Sequence, residues 1–192
     1  MPSLPPQNRP PNGLAIKYFV VCQGAWFVTV FGGAHANAVP GLICAAAIAG
    51  WHLLRATRPW SEARVIVVVT LAGWMWDSLL VGTGWLVYPG RPAILVHAPL
   101  WIAALWTLFA VQLNTVFIWL RDRRWLAAVA GAAGGPLSFR AGAALGAVHF
   151  AHPLPAICAL AVAWSVILPV SLWLAGRWNG MSVSASQLDR QY

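Results

Sequence analysis

The sequence predicts an all-α fold: a polytopic membrane helix bundle with six transmembrane helices. Three features carry this. Hydrophobic residues make up 60% of the chain and charged ones 8%, against about 25% charged in an ordinary soluble domain. The apolar residues gather into six runs of about 20 residues, the length that carries a helix across a bilayer core. The Lys and Arg residues fall between alternate runs, which is how membrane topology is encoded. This composition cannot supply the polar shell of a soluble enzyme or a nucleic-acid-binding domain. The net charge of +8 therefore reads as an orientation signal, with no nucleic-acid partner.

The six runs are Leu14–Gly32, Ala38–Leu54, Val65–Val87, His97–Leu120, Trp125–Phe150 and Pro155–Gly176. The first two are joined by Gly33-Ala34-His35-Ala36-Asn37 and form a hairpin; Ala34-His35-Ala36 imitates a signal-peptide cleavage site, but five further runs favour the hairpin. Residues 1–13 form a flexible Pro-rich tail, 14–176 the six-helix domain, and 177–192 a short polar tail. With six spans, Arg9, Lys17, Arg55, Arg58, Arg64, Arg121, Arg123, Arg124, Arg177 and Arg190 share one side and Arg91 takes the other. The basic side is expected to be cytoplasmic, with both termini there. Trp51, Trp60, Trp85, Trp101, Trp119, Trp125, Trp173 and Trp178 lie at span ends, where an indole reaches the headgroups. Trp26, Trp74, Trp76, Trp106 and Trp164 lie deeper, each needing a partner for its N–H. Cys22, Cys44 and Cys158 read as small packed side chains.

Polar residues inside spans are the candidate binding residues, because each is costly in hydrocarbon. Asp77 lies about 18 Å into the third run and Arg140 about 22 Å into the fifth, counted at the helical rise. Opposite charges at matching depth predict an Asp77–Arg140 ion pair, read either as a register-fixing contact or as a binding or proton-relay site. In the fifth run Gly131-Ala-Ala-Gly134-Gly135-Pro136 predicts a kink or a break, since Pro136 has no N–H to donate. A break would start a second half-helix at Pro136 and aim its orphan N–H groups into the membrane, one turn below Arg140, as broken helices in transporters do. Gly131-x-x-x-Gly135 and Gly142-x-x-x-Gly146 allow close helix approach, within the chain or in a homodimer. Gln23, Gln112 and Asn114 predict interhelical hydrogen bonds or a polar pocket. His35, His97, His149 and His152 share the less basic side and are the candidate haem or metal ligands; no cofactor is otherwise expected. His52 stands by itself on the basic side. No H-E-x-x-H or G-x-S-x-G motif is present, and one membrane Asp makes no aspartyl dyad; the chain leans away from an enzyme.

Trp76-Asp77-Ser78-Leu79-Leu80, Ala98-Pro99-Leu100-Trp101, Leu113-Asn114 and Gly134-Gly135-Pro136-Leu137-Ser138, followed by Ala141-Gly142 and Gly146-Ala147, resemble a family of small bacterial inner-membrane proteins catalogued as a domain of unknown function. With a similar first hairpin, the resemblance covers most of the chain beyond the Pro-rich tail. It implies that Asp77, Asn114 and Gly134–Pro136 matter to the family. Its members often sit beside genes for cyclopropane-type fatty-acyl modification, which implies a lipid-linked accessory role. The expected function is that of a multi-pass inner-membrane accessory or binding component in membrane-lipid metabolism or envelope maintenance, with membrane lipid and a membrane-protein partner or second copy as its partners. A small transporter or lipid-handling protein using Asp77 and Arg140 is the alternative, and a His-ligated haem or metal enzyme the third.

Overall fold

In the computed structural model, residues 12–90 and 97–181 are described. The Pro-rich residues 1–11, Arg91 and most of the polar tail lie outside that range. Six α-helices run in order: α1 (Asn12–Ala34), α2 (Val39–Arg55), α3 (Pro59–Gly82), α4 (Leu100–Ala110), α5 (Arg124–Ala144) and α6 (Pro153–Arg177). Two-residue strands β1 (Leu86–Val87) and β2 (His149–Phe150) pair antiparallel. Three of the helices, α1, α3 and α6, are long and apolar enough to cross a membrane.

Local chemistry sets the helix ends. α2, α3 and α6 each begin with a Pro in the first two positions, where the missing N–H has no helical partner to lose. α5 ends in a Schellman cap: Gly146 takes φ +79°, its N–H donates to Ala143 O, and the Ala147 N–H donates to Gly142 O. That conformation suits Gly because it has no Cβ.

The joints collect at two ends of the bundle. At one, Ala151 N–H donates to Trp85 O beside the β1–β2 pair, and Trp101 closes against Gly33 of the α1–α2 hairpin. At the other, which we call the basic end, the last turn of α2, the turns that follow α4 and the residues that follow α6 meet the start of α3, and the last turns of α6 face the start of α5. Lys17, Arg55, Arg58, Arg64, Arg121, Arg123, Arg124 and Arg177 belong to this end, and most of them are exposed.

The structure corrects the expected spans in four places. α3 starts six residues before Val65, because Pro59 opens a helix through the charged stretch that reads as a loop. It ends at Gly82, five residues before Val87. α5 stops at Ala144, six residues before Phe150. It runs unbroken through Pro136, so the predicted break is absent. The interruption falls instead in the fourth run. The α-helical ladder ends at Ala110, and Gln112 and Leu113 N–H donate to carbonyls three residues back. Val116 and Phe117 N–H both converge on Gln112 O, and a 3₁₀ turn at Ile118–Leu120 follows. Eleven α-helical residues remain of that run.

Packing centres on an indole stack. Trp106 of α4 and Trp164 of α6 lie parallel, with centroids 4.9 Å apart and planes 12° apart. A Cβ on Gly73 of α3 would come within 2.0 Å of Trp106, and one on Gly135 of α5 within 2.3 Å of Trp164. Two glycines thus let backbones close on both outer faces of the stack, and four helices meet through two rings. Of the two small-residue motifs, Gly131/Gly135 packs against α6 within the chain, whereas Gly142 has loose surroundings and Gly146 serves the cap.

Other expectations are also corrected. Trp101 is buried and Cys158 exposed. Trp74 Nε1–H donates to Ala98 O at 3.0 Å, but the buried Nε1 atoms of Trp76 and Trp164 have no acceptor.

Candidate functional site

α1 packs on α2 and α4, and α5 packs on α6. A cleft of about 730 Å³ lies between α1 and α5, floored by α4. Its size falls within the range of small-molecule pockets, about 300–1,000 Å³. Phe19, Trp26, Phe27, Leu105, Phe109 and Phe139 give it an apolar, aromatic wall. Among the described residues Asp77 is the one charged group in the lining, accompanied by Gln23, Gln112 and Ser138.

Asp77 is 1% exposed. Its Oδ2 accepts a 2.7 Å hydrogen bond from Trp106 Nε1–H, so the carboxylate orients the central indole stack. Its Oδ1 has no partner, and neither does the Nε1–H of Trp164, which also lines the cleft. An acceptor and a donor are therefore left unsatisfied in an apolar cleft, where each is costly.

The expected Asp77–Arg140 ion pair does not form. α5 packs on α6, away from α3, and Arg140 is exposed near the end of α5. Matching depth was the sole basis for that pairing, and depth says nothing about which helices touch. Of the other candidates, Gln23 and Gln112 line the cleft, with Gln112 Nε2–H donating to Leu108 O at 2.9 Å. Gly135 lines it as well, and Pro136 is buried inside α5.

Asn114 belongs to a second constellation, at the basic end. Glu62, in the first turn of α3, is 1% exposed, and His52 and Tyr18 are 0% exposed. His52 Nε2 meets Glu62 Oε2 at 2.9 Å, and its Nδ1 meets Tyr18 Oη at 3.0 Å. With the Nε2 proton donated to the carboxylate, Nδ1 of a neutral imidazole accepts the Tyr18 O–H. Glu62 Oε1 accepts from Asn114 Nδ2 at 2.8 Å and from the backbone N–H of Gly180 at 2.6 Å. Arg121 Nη2–H donates in turn to Asn114 Oδ1. Burial draws the Arg121 guanidinium below its ordinary pKa, with the Asp122 and Glu62 carboxylates opposing. The interruption after α4 thus places Asn114 where it joins α3 to Arg121.

From sequence alone His52 is the one histidine on the basic side, with no partner assigned, and neither Glu62 nor Tyr18 is singled out; the structure joins the three. A start signal was available: Pro59 followed three residues later by an acidic Glu62 marks a helix N-terminus.

Residues 178–181 of the expected polar tail close the cluster. Gly180 O accepts from Thr57 N–H, Thr57 Oγ1–H and Arg58 N–H at 2.9, 2.6 and 3.1 Å. A Cβ at Gly180 would sit 2.4 Å from Arg58 O and 3.0 Å from Glu62 Cγ. Gly180→Ala should therefore lift this segment off the cluster. Tryptic cleavage after Arg177 in detergent-solubilised protein is expected to accelerate, and an unchanged rate would show that the segment is held some other way.

The candidate haem or metal histidines are placed apart in role. His35 Nδ1–H donates to Phe31 O at 2.9 Å, the His97 ring lies tilted beside Trp74, His149 lies in β2 and His152 precedes α6. Among the described residues, no three His, Cys, Asp or Glu side chains gather to hold a metal ion.

An all-α chain with three helices able to cross a membrane, enclosing an apolar cleft with a single carboxylate, suggests a membrane protein. More particularly, the chain belongs to a family described as proteins of unknown function, DUF2878, whose model matches residues 15–170. No curated protein and no solved structure matches it.

Proposed function

We propose that this is a multi-pass inner-membrane protein that binds an amphipathic, lipid-like molecule in the α1–α5 cleft, as a binding component of membrane-lipid metabolism or envelope maintenance. All six helices embed in the bilayer in this reading, the short α4 being sheltered by its neighbours. The basic end faces the cytoplasm, as the distribution of Lys and Arg favours. The observation that carries the proposal is Asp77: a buried carboxylate in the lining of an apolar cleft, with one oxygen unpaired. Intramembrane ionisable residues are expensive and mark functional sites. A hydroxyl-bearing polar end would donate to Asp77 Oδ1 and accept from Trp164 Nε1–H, while its chain fills the aromatic cleft.

Native mass spectrometry of protein purified in mild detergent tests this. The wild-type chain is expected to retain a lipid-sized molecule. Asp77→Asn should lower its occupancy. Gly134→Leu should abolish it, because Gly134 lines the cleft and a Cβ there meets nothing within 4 Å. A bare wild-type chain, or equal retention by all three proteins, would overturn the reading.

A further inference from the structure

A second, smaller pocket lies at the basic end, separate from the cleft but sharing Leu120 with it. Its volume is about 260 Å³, and it sits between the 3₁₀ turn, the first turn of α5 and the last turns of α6. Arg121, Arg124 and Arg177 line it, with Asp122 the one carboxylate among the described lining residues; three positive charges against one negative leave these residues net positive. Arg121 Nε–H is buried and has no acceptor, although Nη2 of the same guanidinium is engaged by Asn114. Gly176 makes room for this side chain, since a Cβ there would lie 3.1 Å from Arg121 Cδ. The Arg177 guanidinium rests 5.0 Å from the Trp173 ring centroid, and Trp173 is half exposed at the rim.

A guanidinium carrying a buried, unused N–H beside two further guanidinium groups is suited to a tetrahedral oxyanion, because Arg forks match phosphate geometry. Basic pockets between helices at a membrane face commonly hold lipid headgroups. We propose that the Arg121/Arg124/Arg177 pocket is a phosphate site, the phosphate being carried on an anionic lipid headgroup or free in solution. The site does not depend on Asp77 or on an occupant of the cleft.

The full chain in mild detergent, delipidated and titrated with phosphatidylglycerol, phosphatidylcholine or inorganic phosphate, gives the test by native mass spectrometry. Arg124→Gln/Arg177→Gln removes two exposed guanidinium groups and leaves the Arg121–Asn114 contact intact. Lys17→Gln/Arg64→Gln removes the same charge elsewhere at the basic end. The expected result is retention of phosphatidylglycerol over phosphatidylcholine, weakened on the order of tenfold or more in the first variant and little changed in the second. Binding of inorganic phosphate with the same variant pattern, and no preference for phosphatidylglycerol, would support the site with a soluble source. Equal losses in both variants, or no binding of either phosphate carrier, would overturn it. The Asp77→Asn protein should behave as wild type in this titration, so failure of the cleft reading and failure of this one are distinguishable.

Discussion

Glu62→Ala is expected to destabilise the folded protein by about 3 kcal/mol or more, because a buried acceptor shared by three donors is lost. The carboxylate serves His52, Asn114 and Gly180 at once. Its removal leaves three buried donors without an acceptor, and unsatisfied donors lose their full desolvation cost, about 1–3 kcal/mol each. The three do not add simply, because the Gly180 segment can lift away and admit water. Glu62→Gln should cost less than Ala, since its one oxygen serves one side of the cluster and its NH₂ faces a donor on the other. Chemical unfolding in mild detergent measures both. A loss below about 1 kcal/mol for Glu62→Ala would mean that the cluster is already open to solvent.

The second large effect comes from one added methyl group. A Cβ on Gly131 would lie 2.1 Å from the backbone oxygen of Trp164. A side chain can swing aside, but a carbonyl inside α6 cannot without distorting the helix. Gly131→Ala should force α5 and α6 apart at a cost of about 1–3 kcal/mol or more. Gly134→Ala, three residues on, meets nothing within 4 Å and should be neutral or stabilising by up to about 1 kcal/mol through helix propensity. Unfolding midpoints of the two variants check the contrast. Equal effects would place the α5–α6 contact elsewhere.

How much was legible depended on where the governing information lay. α1, α2 and α6 follow long apolar runs, and the expected bounds fall within two residues of those observed. The start of α3 was missed because Trp60-Ser61-Glu62-Ala63-Arg64 is charged, although Pro59 and Glu62 fit a helix N-terminus. The end of the α4 ladder was illegible for a different reason. Val111-Gln112-Leu113-Asn114 contains no Pro or Gly to stop a helix, and the partner that positions Asn114 is Glu62, 52 residues away. Asp77 stood out as a charge in an apolar run, but its partner was misread. A cation is the obvious mate for a carboxylate, whereas the structure supplies an indole N–H from Trp106. Pattern shows which residues need partners; helix adjacency decides who they are.

The bond from Gly180 to Glu62 spans 118 positions of chain, and this has a consequence for biosynthesis. Translation delivers Glu62, His52 and Tyr18 long before Gly180 exists. A nascent or prematurely terminated chain therefore carries this carboxylate, without its Gly180 amide, at the start of its third helix. Completion of the last helix brings the amide that covers it. The basic end is therefore closed late, by residues that follow α6.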